Sequence, residues 1–331
     1  MKNFAYAEPH TEAEVLEFLS EQAGEAEIIA GGTDLVGLMK KMIVTPDRVV
    51  NVMEVPSMKQ IESLPDGGVK IGAAVTLDDV LASSLLTQYP AVQQAISSLG
   101  SIQLQSQGTI GGDLCARPRC WYFRAGNGLL AEAGAMVTQG DNRHHAIFGN
   151  DGPAKFVSSS RLAPALIVHG AQVRIVGPNA DDETTIALAD FFHTPRHEGE
   201  RETILKRNQF ISHIILPAND GWTSRTYEVK HGACPHYPLV AAAAALKFRG
   251  DVVHQVRITL GQVAPQPWVS ETAAHAMEGI PVSETTAEAA GNAAIQAATP
   301  LKDNEYKVQL AKVSVQRAIL RAAGLPTGGL D

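Results

Sequence analysis

The stretch Ile28-Ile29-Ala30-Gly31-Gly32-Thr33-Asp34-Leu35 changes character at its two glycines. A short apolar run typical of a buried strand ends there, and an amphipathic pattern then continues to Met42. The arrangement returns later in the chain as Gly108-Thr109-Ile110-Gly111-Gly112-Asp113. Two Gly-Gly turns beside hydroxyl residues can present bare backbone N–H groups, and glycine lets the main chain approach a ligand closely. The pair of loops therefore predicts a site for a phosphate or a diphosphate.

Neither loop alone is strong evidence, because turns use glycine everywhere. Both lack the lysine of a P-loop, and neither has the Gly-x-Gly-x-x-Gly spacing of a Rossmann or kinase nucleotide site. The sequence also lacks Gly-x-Ser-x-Gly, His-Glu-x-x-His and an evident pair of carboxylates, so a hydrolase is unsupported. The histidines form no metal-binding pattern, so no metal ligand is predicted.

Composition limits the class of protein. The 331 residues suffice for two domains, and the formal charge of -8 argues against a general nucleic-acid or anionic-membrane binder. No stretch approaches the roughly 20 apolar residues of a membrane span. An odd number of cysteines (Cys115, Cys120 and Cys234) suits a reducing compartment. We therefore expect a cytoplasmic protein.

The first half of the chain interleaves strand and helix patterns. The predicted strands cover Glu27–Ala30, Arg48–Val52, Val69–Ala73, Ala165–His169, Gln172–Val176 and Phe210–Leu216. Helices are predicted to begin after Thr11, after Thr76 and at Pro90, where capping or first-turn residues stand. This order predicts an α+β fold with a mixed sheet.

The second half begins after Pro217–Gly221, a polar and turn-forming segment that predicts a domain boundary. Trp222–Lys230 and Val252–Val263 are predicted strands. Pro238–Phe248 contains five consecutive alanines, which favour a helix by propensity although a buried strand stays open. Predicted helices follow over Glu271–Met277, Thr285–Ala298 and Tyr306–Ala323.

Several separate motifs, in order, resemble one family. They are Ala30–Leu35, Thr109–Gly112, Cys120-Trp121-Tyr122-Phe123-Arg124, the segment Gly140–Gly149, and Tyr237-Pro238-Leu239-Val240. The chain resembles, over nearly its whole length, the flavin-binding medium subunit of the molybdenum hydroxylases. That family includes the medium chains of carbon monoxide dehydrogenase, xanthine dehydrogenase and 4-hydroxybenzoyl-CoA reductase.

The resemblance implies an α+β fold with two domains. Residues 1–219 would form a two-part FAD-binding domain of the vanillyl-alcohol-oxidase (PCMH) type, with subdomains of about 1–56 and 57–219. Residues 222–331 would form a C-terminal α/β domain. The five alanines would then belong to a buried strand, against their propensity.

The resemblance also implies a bound FAD whose diphosphate lies on the two glycine loops. It places Leu205 beside the isoalloxazine ring, and it brings Lys230 to the flavin from the C-terminal domain, where a cation can stabilise the reduced, anionic ring. No catalytic acid or base and no metal ligand is expected in this chain. The predicted FAD-binding residues are Ala30, Gly31, Gly32, Thr33, Asp34, Leu35, Thr109, Ile110, Gly111, Gly112, Asp113, Arg161, Leu205 and Lys230.

Two residues of that set depart from the family pattern. Asp113 stands where the family usually has asparagine, which would bring a negative charge near the diphosphate. Arg161 stands where the family commonly has an aspartate that binds the adenosine portion, and a guanidinium cannot accept hydrogen bonds as a carboxylate does. Arg161 could contact phosphate instead.

A third departure concerns iron. Relatives with the Cys-Trp-Tyr-Phe-Arg segment carry four cysteines for a [4Fe–4S] cluster. This chain keeps Cys120, whereas Leu129, Leu130, Ala135 and Ala154 lie in the stretches where the others would fall. One thiolate cannot hold a cluster that takes four, so no [4Fe–4S] cluster is expected.

The resemblance thus implies an electron-transfer subunit of a molybdenum-dependent hydroxylase. FAD would take electrons from a [2Fe–2S] small subunit and deliver them to an external acceptor, while a large subunit carries the molybdenum cofactor. Two alternatives stay open. One is a flavin-free assembly subunit of the same complex, suggested by Asp113 and Arg161, and the other is a free-standing flavin oxidoreductase.

Overall fold

The computed structural model describes residues 1–232 and 236–328, so Cys234 lies outside the described residues. Three β-sheets organise this part of the chain. One sheet is parallel throughout and the other two are antiparallel, so the expectation of a mixed sheet is wrong. The parallel strands and the antiparallel strands belong to different parts of the chain, and none of these three sheets contains both kinds of pairing.

The first sheet lies near the N-terminus and has the strand order β1-β3-β2. Its elements are β1 (Ala5–Ala7), α1 (Glu12–Phe18), β2 (Ala26–Ile29), α2 (Leu35–Lys40) and β3 (Arg48–Asn51). Parallel strands cannot be joined by a tight hairpin, so α1 connects β1 to β2 and α2 connects β2 to β3. Strand β2 leads directly into the first glycine loop, and α2 begins directly after it.

The second sheet has five strands in the order β4-β5-β8-β6-β7. The strands are β4 (Ile61–Ser63), β5 (Val69–Gly72), β6 (Gln172–Val176), β7 (Glu183–Ala187) and β8 (Phe210–Leu216). The turn predicted at Asp66-Gly67-Gly68 joins β4 to β5. Gly67 has φ +85, and the Gly68 N–H donates to the Asp66 side chain at 2.9 Å. Strand β8 lies at the centre of this sheet and is almost wholly buried.

Four helices follow β5 and carry the chain into the second glycine loop. They are α3 (Leu77–Ala82), α4 (Pro90–Ser97), α5 (Ile102–Gln107) and α6 (Ile110–Leu114). The predicted helix starts are confirmed. The Thr11 side chain accepts the Glu14 N–H at 3.2 Å, and the Thr76 side chain accepts the Asp79 N–H at 3.1 Å. Pro90 stands in the first turn of α4.

Residues 115–160 form a long insertion with two short helices, α7 (Trp121–Arg124) and α8 (Ala135–Gln139). Its interior is a small apolar cluster, against which Cys120 packs. The buried residues of the cluster are Leu38, Phe123, Leu129, Leu130, Ala154 and Phe156. The backbone N–H groups of Leu129 and Leu130 both donate to the carboxylate of Glu198 at 2.8 Å. Apolar packing and the Glu198 carboxylate therefore both help to hold this loop.

Residues Ala163–Val168 form helix α9, so the predicted strand over Ala165–His169 is wrong. The hydroxyl of Ser160 accepts the Ala163 N–H at 3.0 Å, and Pro164 lies in the first turn. Short apolar runs fit a buried helix and a buried strand equally well. Here the contact between the Ser160 hydroxyl and the Ala163 N–H, together with the proline in the first turn, favours a helix.

The C-terminal part packs three helices on a four-stranded antiparallel sheet of order β12-β11-β10-β9. The strands are β9 (Thr223–Val229), β10 (Val240–Arg249), β11 (Val252–Gly261) and β12 (Trp268–Val269). The helices are α10 (Glu271–His275), α11 (Glu284–Ala294) and α12 (Tyr306–Ala322). None of the helices in residues 1–232 and 236–328 is long and apolar enough to cross a membrane.

The alanine run lies within strand β10, so the strand implied by the resemblance is confirmed and the helix favoured by propensity is wrong. Ala243 and Ala245 belong to the large core of the N-terminal part, whereas Ala242 and Ala244 belong to the core under α12. Alternate side chains of a strand point to opposite faces. Both faces of β10 are thus covered, and tertiary burial overrides helix propensity.

Candidate functional site

The first glycine loop presents backbone N–H groups as predicted. Gly32 has φ +68, a left-handed conformation that favours glycine. Among the described residues, none accepts a hydrogen bond from the backbone N–H groups of residues 31–34. This short row of donors can bind the oxygens of an anionic ligand.

The second glycine loop differs, and the prediction of bare N–H groups there is wrong. The Ile110 N–H donates to the Val75 carbonyl at 3.0 Å, and the Gly111 N–H donates to the Ala73 carbonyl at 2.9 Å. Thr109 caps α6, because its side chain accepts the Gly112 N–H at 3.1 Å and its carbonyl accepts the next N–H at 2.9 Å. The acceptors are thus residues that directly follow β5, together with the Thr109 cap of α6. The second loop therefore borders the cavities without offering free N–H groups at residues 110–113.

Close packing explains two of the glycines. A Cβ on Gly31 would lie 1.5 Å from the carbonyl oxygen of Gln107, directly before the second loop, and a Cβ on Gly111 would lie 2.7 Å from the Cβ of Ala73, directly after β5. No side chain fits at such distances. The first loop therefore packs backbone to backbone against the start of the second loop, and the second loop packs against the end of β5.

Two cavities meet at these loops. The first, of about 200 Å³, lies beside the parallel sheet and is lined by apolar residues such as Ile28, Met58 and Phe210. The second, of about 450 Å³, lies between α3–α5 and the segment before β10, with Ile96 and Tyr237 in its lining. They share a rim made by Thr33, Asp34, Thr109, Gly112 and Ala116. A ligand in both cavities would cross the glycine loops at its middle.

Most of the predicted residues border these cavities. Those that line the first cavity are Ala30, Gly31, Gly32, Thr33, Asp34, Leu35, Thr109, Gly111, Gly112 and Leu205. Those that line the second are Thr33, Asp34, Thr109, Gly112, Asp113 and Arg161. Ile110 is fully buried and lines neither cavity. Leu205 and Arg161 lie in different cavities, on opposite sides of the loops.

Asp34 ties the insertion to the first glycine loop. Its carboxylate accepts hydrogen bonds from the Arg117 N–H at 2.9 Å, from Arg119 Nη1 at 3.0 Å and from Arg124 Nη2 at 2.8 Å. Burial lowers the pKa of the Arg124 guanidinium, and the nearby Asp34 opposes that shift. Two guanidinium groups neutralise this carboxylate at the shared rim, and the Arg117 backbone N–H is a third donor to it.

The carboxylate of Asp113 points toward the start of α9. It accepts hydrogen bonds from the Ser160 hydroxyl at 2.5 Å, from the Leu162 N–H at 3.0 Å and from the Arg161 N–H at 3.2 Å. Burial raises the pKa of the Asp113 carboxyl, and these three donors oppose the shift. The negative charge expected beside a diphosphate is thus engaged by residues 160–162.

Arg161 places a buried guanidinium against the second cavity. The residue is 5 % exposed, and its guanidinium lies 4.9 Å from the ring centroid of Tyr237. Nη2 donates to the carbonyl of His236, while Nε and Nη1 have no hydrogen-bond partner among the described residues. Arg119 lies 4.8 Å from the same Tyr237 ring. Aromatic surface and positive charge therefore meet at this cavity.

Lys230 lines neither cavity. Its ammonium donates to the carbonyl of Ser98 and lies 3.2 Å from the carboxylate of Glu228. Ser98 directly follows α4, whose residue Ile96 lines the second cavity. The structure thus places Lys230 behind that cavity rather than inside it.

Sequence reasoning missed the charged residues of the first cavity. Arg201 lies 3.2 Å from Glu27, and Arg117 lies 2.8 Å from Glu202. Arg207 also lines this cavity, where burial and the neighbouring Arg201 lower the pKa of its guanidinium. The pairs join residues far apart in sequence, so local pattern could not find them. The basic pair Lys206-Arg207 was the available signal.

The insertion contains a cysteine next to a histidine. Cys120 Sγ lies 3.1 Å from His145 Nε2. Burial lowers the pKa of His145 to about 4 and raises the pKa of the Cys120 thiol, so both groups are neutral at pH 7. Within residues 1–232 and 236–328, no three His, Cys, Asp or Glu side chains form a group that could hold a metal ion.

Two family models together match most of the chain. The model described as the FAD binding domain in molybdopterin dehydrogenase matches residues 2–219. The model of the CO dehydrogenase flavoprotein C-terminal domain matches residues 225–322. The chain belongs to the FAD-binding medium subunits of the molybdenum hydroxylases.

Relatives agree with this membership over nearly their full lengths. The aldehyde oxidoreductase FAD-binding subunit PaoB of Escherichia coli K12 is 31% identical, covering 97% of this chain and 99% of the relative. The carbon monoxide dehydrogenase medium chain of Hydrogenophaga pseudoflava is 25% identical over 96% of both chains. As a member of this family, the chain is an FAD-binding component of an oxidoreductase.

Solved structures share the fold. A carbon monoxide dehydrogenase structure from Hydrogenophaga pseudoflava superposes with a TM-score of 0.77 at 22% identity, covering 97% of this chain and 98% of the other. Quinoline 2-oxidoreductase from Pseudomonas putida 86 gives a TM-score of 0.76 at 22% identity, covering 98% and 99% of the two chains. The predicted α+β fold with a FAD-binding domain and a C-terminal domain is confirmed.

Proposed function

We propose that this chain carries FAD across the two cavities and passes electrons from a [2Fe–2S] small subunit to an external acceptor. The observation that carries the proposal is the meeting of two cavities at the glycine loops. FAD has a diphosphate at its middle, and the free N–H groups of residues 31–34 lie where the cavities join. Such a row of donors suits phosphate oxygens.

We place the isoalloxazine ring in the second cavity and the adenosine in the first. Tyr237 offers the second cavity an aromatic face on which a flat ring can stack. Lys230 and Tyr237 both come from the C-terminal part and lie on this side of the loops. In this arrangement Leu205 contacts the adenosine and Arg161 faces the ring, which reverses the roles that the sequence resemblance assigned to these two residues.

FAD supplies the redox chemistry when bound, by accepting two electrons and releasing them. The chain's own residues position it. Gly112 adds no side chain to the rim, and residues 31–34 supply backbone donors. Arg119 and Arg161 hold Tyr237 from the insertion and from the start of α9. No residue of the described chain needs to exchange a proton with a substrate.

The partners proposed are a molybdenum-cofactor large subunit and a [2Fe–2S] small subunit, in the cytoplasm. Relatives named as medium chains or FAD-binding subunits support this assembly. We also retain the division into an FAD-binding domain of residues 1–219, with subdomains of about 1–56 and 57–219, and a C-terminal domain of residues 222–331. The flavin-free alternative loses one of its supports, because the Asp113 carboxylate is engaged by residues 160–162.

The test is to express the chain with its neighbouring subunits and to purify the complex. We expect flavin absorbance, release of FAD on denaturation, and bleaching of the flavin when substrate reduces the large subunit. A complex that forms without flavin, and gains no flavin spectrum with added FAD, would support the assembly-subunit alternative. An isolated chain that turns over NADH with a dye, and binds no other subunit, would support a free-standing oxidoreductase.

A further inference from the structure

The second cavity is bordered by a buried guanidinium with unpaired hydrogen-bond donors. Arg161 is 5 % exposed, and no carboxylate in the described part of the chain lies within ion-pair distance of its guanidinium. The charge of Asp113 acts on it only at longer range. Nε and Nη1 also lack hydrogen-bond partners there. Buried donors left unpaired are costly, and an anionic or hydrogen-bond-accepting ligand in this cavity would remove that cost.

The other charges around the cavity are already engaged. Arg119 donates to Asp34 at 3.0 Å. The Asp113 carboxylate accepts from Ser160 and from two backbone N–H groups, so it does not compensate the guanidinium through a direct contact. Lys230 is held by the Ser98 carbonyl and by Glu228. Among the described residues that line this cavity, Arg161 is therefore the cation whose buried donors lack a protein partner.

We propose that Arg161 stabilises the negative charge that the isoalloxazine ring gains on reduction. This rests on the proposed placement of the ring in the second cavity. The reduced ring carries its charge along the N1–C2=O2 edge, and a guanidinium donates strong charge-assisted hydrogen bonds to such acceptors. Arg161 lines the second cavity but not the rim shared by both cavities, so it lies on the ring side of the diphosphate. It takes the role that the resemblance gave to Lys230.

The experiment compares four variants of the FAD-loaded complex. R161M removes the charge with similar volume, and R161K keeps a charge with fewer donors. K230M removes the competing cation. R257M is the matched control, because Arg257 also stacks on an aromatic ring, Trp222, and donates to a carbonyl, that of Val168, but lines neither cavity. The measurements are FAD content, the two-electron midpoint potential and the dissociation constant of sulfite, which adds to flavin N5 and leaves the ring negatively charged.

We expect R161M to weaken sulfite binding at least tenfold and to lower the potential correspondingly, by about 30 mV for a tenfold change in a two-electron couple. R161K should lie between R161M and the parent, while K230M and R257M match the parent. If R161M lost FAD altogether, R161K would supply the comparison. An R161M or R161K complex with parental potential and parental sulfite binding would overturn the inference, even with weaker FAD affinity, since that result indicates a phosphate contact. A parent complex without FAD would instead sink the proposed function.

Discussion

Arg161 and Asp113 are in direct contact through the backbone: the Arg161 N–H donates to the Asp113 carboxylate at 3.2 Å, while the guanidinium lies against Tyr237 and attracts the carboxylate only at longer range. The carboxylate serves the start of helix α9, together with the Ser160 hydroxyl. The two residues that depart from the family pattern therefore have separate roles. Asp113 supports the start of helix α9, and the Arg161 guanidinium faces the second cavity.

Replacing Asp113 with alanine should destabilise the protein without removing FAD. The change leaves three donors without their acceptor, and we expect a loss of roughly 3 kcal/mol in the free energy of unfolding. D113N keeps one acceptor oxygen and should lose about half as much. Urea unfolding and FAD content measure the two effects. A D113A protein with parental stability but no FAD would mean that this carboxylate acts on the ligand.

Gly31→Ala should abolish FAD binding. The new Cβ would lie 1.5 Å from the Gln107 carbonyl oxygen, so the two glycine loops must separate at the rim of the cavities. G37A is the matched control, because that glycine lies in helix α2 with no atom within 4 Å of a new Cβ. G37A should bind FAD fully and gain about 0.5–1 kcal/mol in stability. Equal FAD content in the two variants would contradict the loop geometry.

Leu130→Ala should destabilise the insertion by about 3 kcal/mol, since a large side chain is removed from a buried apolar cluster. Ile102 is 77% exposed on α5, so I102A should change stability by less than about 0.5 kcal/mol. Thermal unfolding and limited proteolysis within residues 115–160 would measure both. Parental protease resistance in L130A would show that the cluster does not hold the loop.

The absence of a [4Fe–4S] cluster stays a prediction, with a direct chemical assay. Chain produced with ample iron and purified without oxygen should contain no acid-labile sulfide and no broad cluster absorbance near the flavin bands. The physical reason is that Leu129, Leu130 and Ala154 offer no thiolate beside Cys120. Stoichiometric iron and sulfide in the isolated chain would refute it.

Stability should fall as the pH drops from about 6.5 toward 4. Burial lowers the pKa of His145 and of His169 to about 4, below the ordinary value of 6.5. In this window the unfolded chain binds more protons than the folded one, so each histidine costs about 2 kcal/mol between pH 7.5 and pH 5. H169Q should flatten the slope, while H275Q, which replaces an exposed histidine, should leave it unchanged. Parallel slopes for H169Q and the parent would contradict the assignment.

Local pattern predicted the features that depend on neighbouring residues. The strands around β2, β3, β5 and β8, the helix caps at Thr11 and Thr76, and the turn at Gly67 all follow from short-range chemistry. The first glycine loop belongs to this group, because its free N–H groups follow from its own turn. These features are confirmed.

The remainder depended on contacts between distant residues. The Ser160 hydroxyl accepts the N–H of Ala163 at the start of helix α9 and donates to the Asp113 carboxylate, which belongs to another segment of the chain. In the second glycine loop, two N–H groups donate to the carbonyls of Ala73 and Val75. The sequence of the loop alone does not reveal these acceptors. The cavity cations pair with Glu27 and Glu202 across the fold. Spatial neighbours decided each of these cases.

The alanines of β10 stand between two cores, with methyl groups facing both ways. Because a methyl group is the smallest side chain that still packs, the strand works as a spacer of fixed thickness between the two halves of the chain. The second cavity is bounded by Ile96 from one half and Tyr237 from the other, just before that strand. An Ala243→Val substitution would therefore add volume to the core between the two halves, at a position that lines neither cavity.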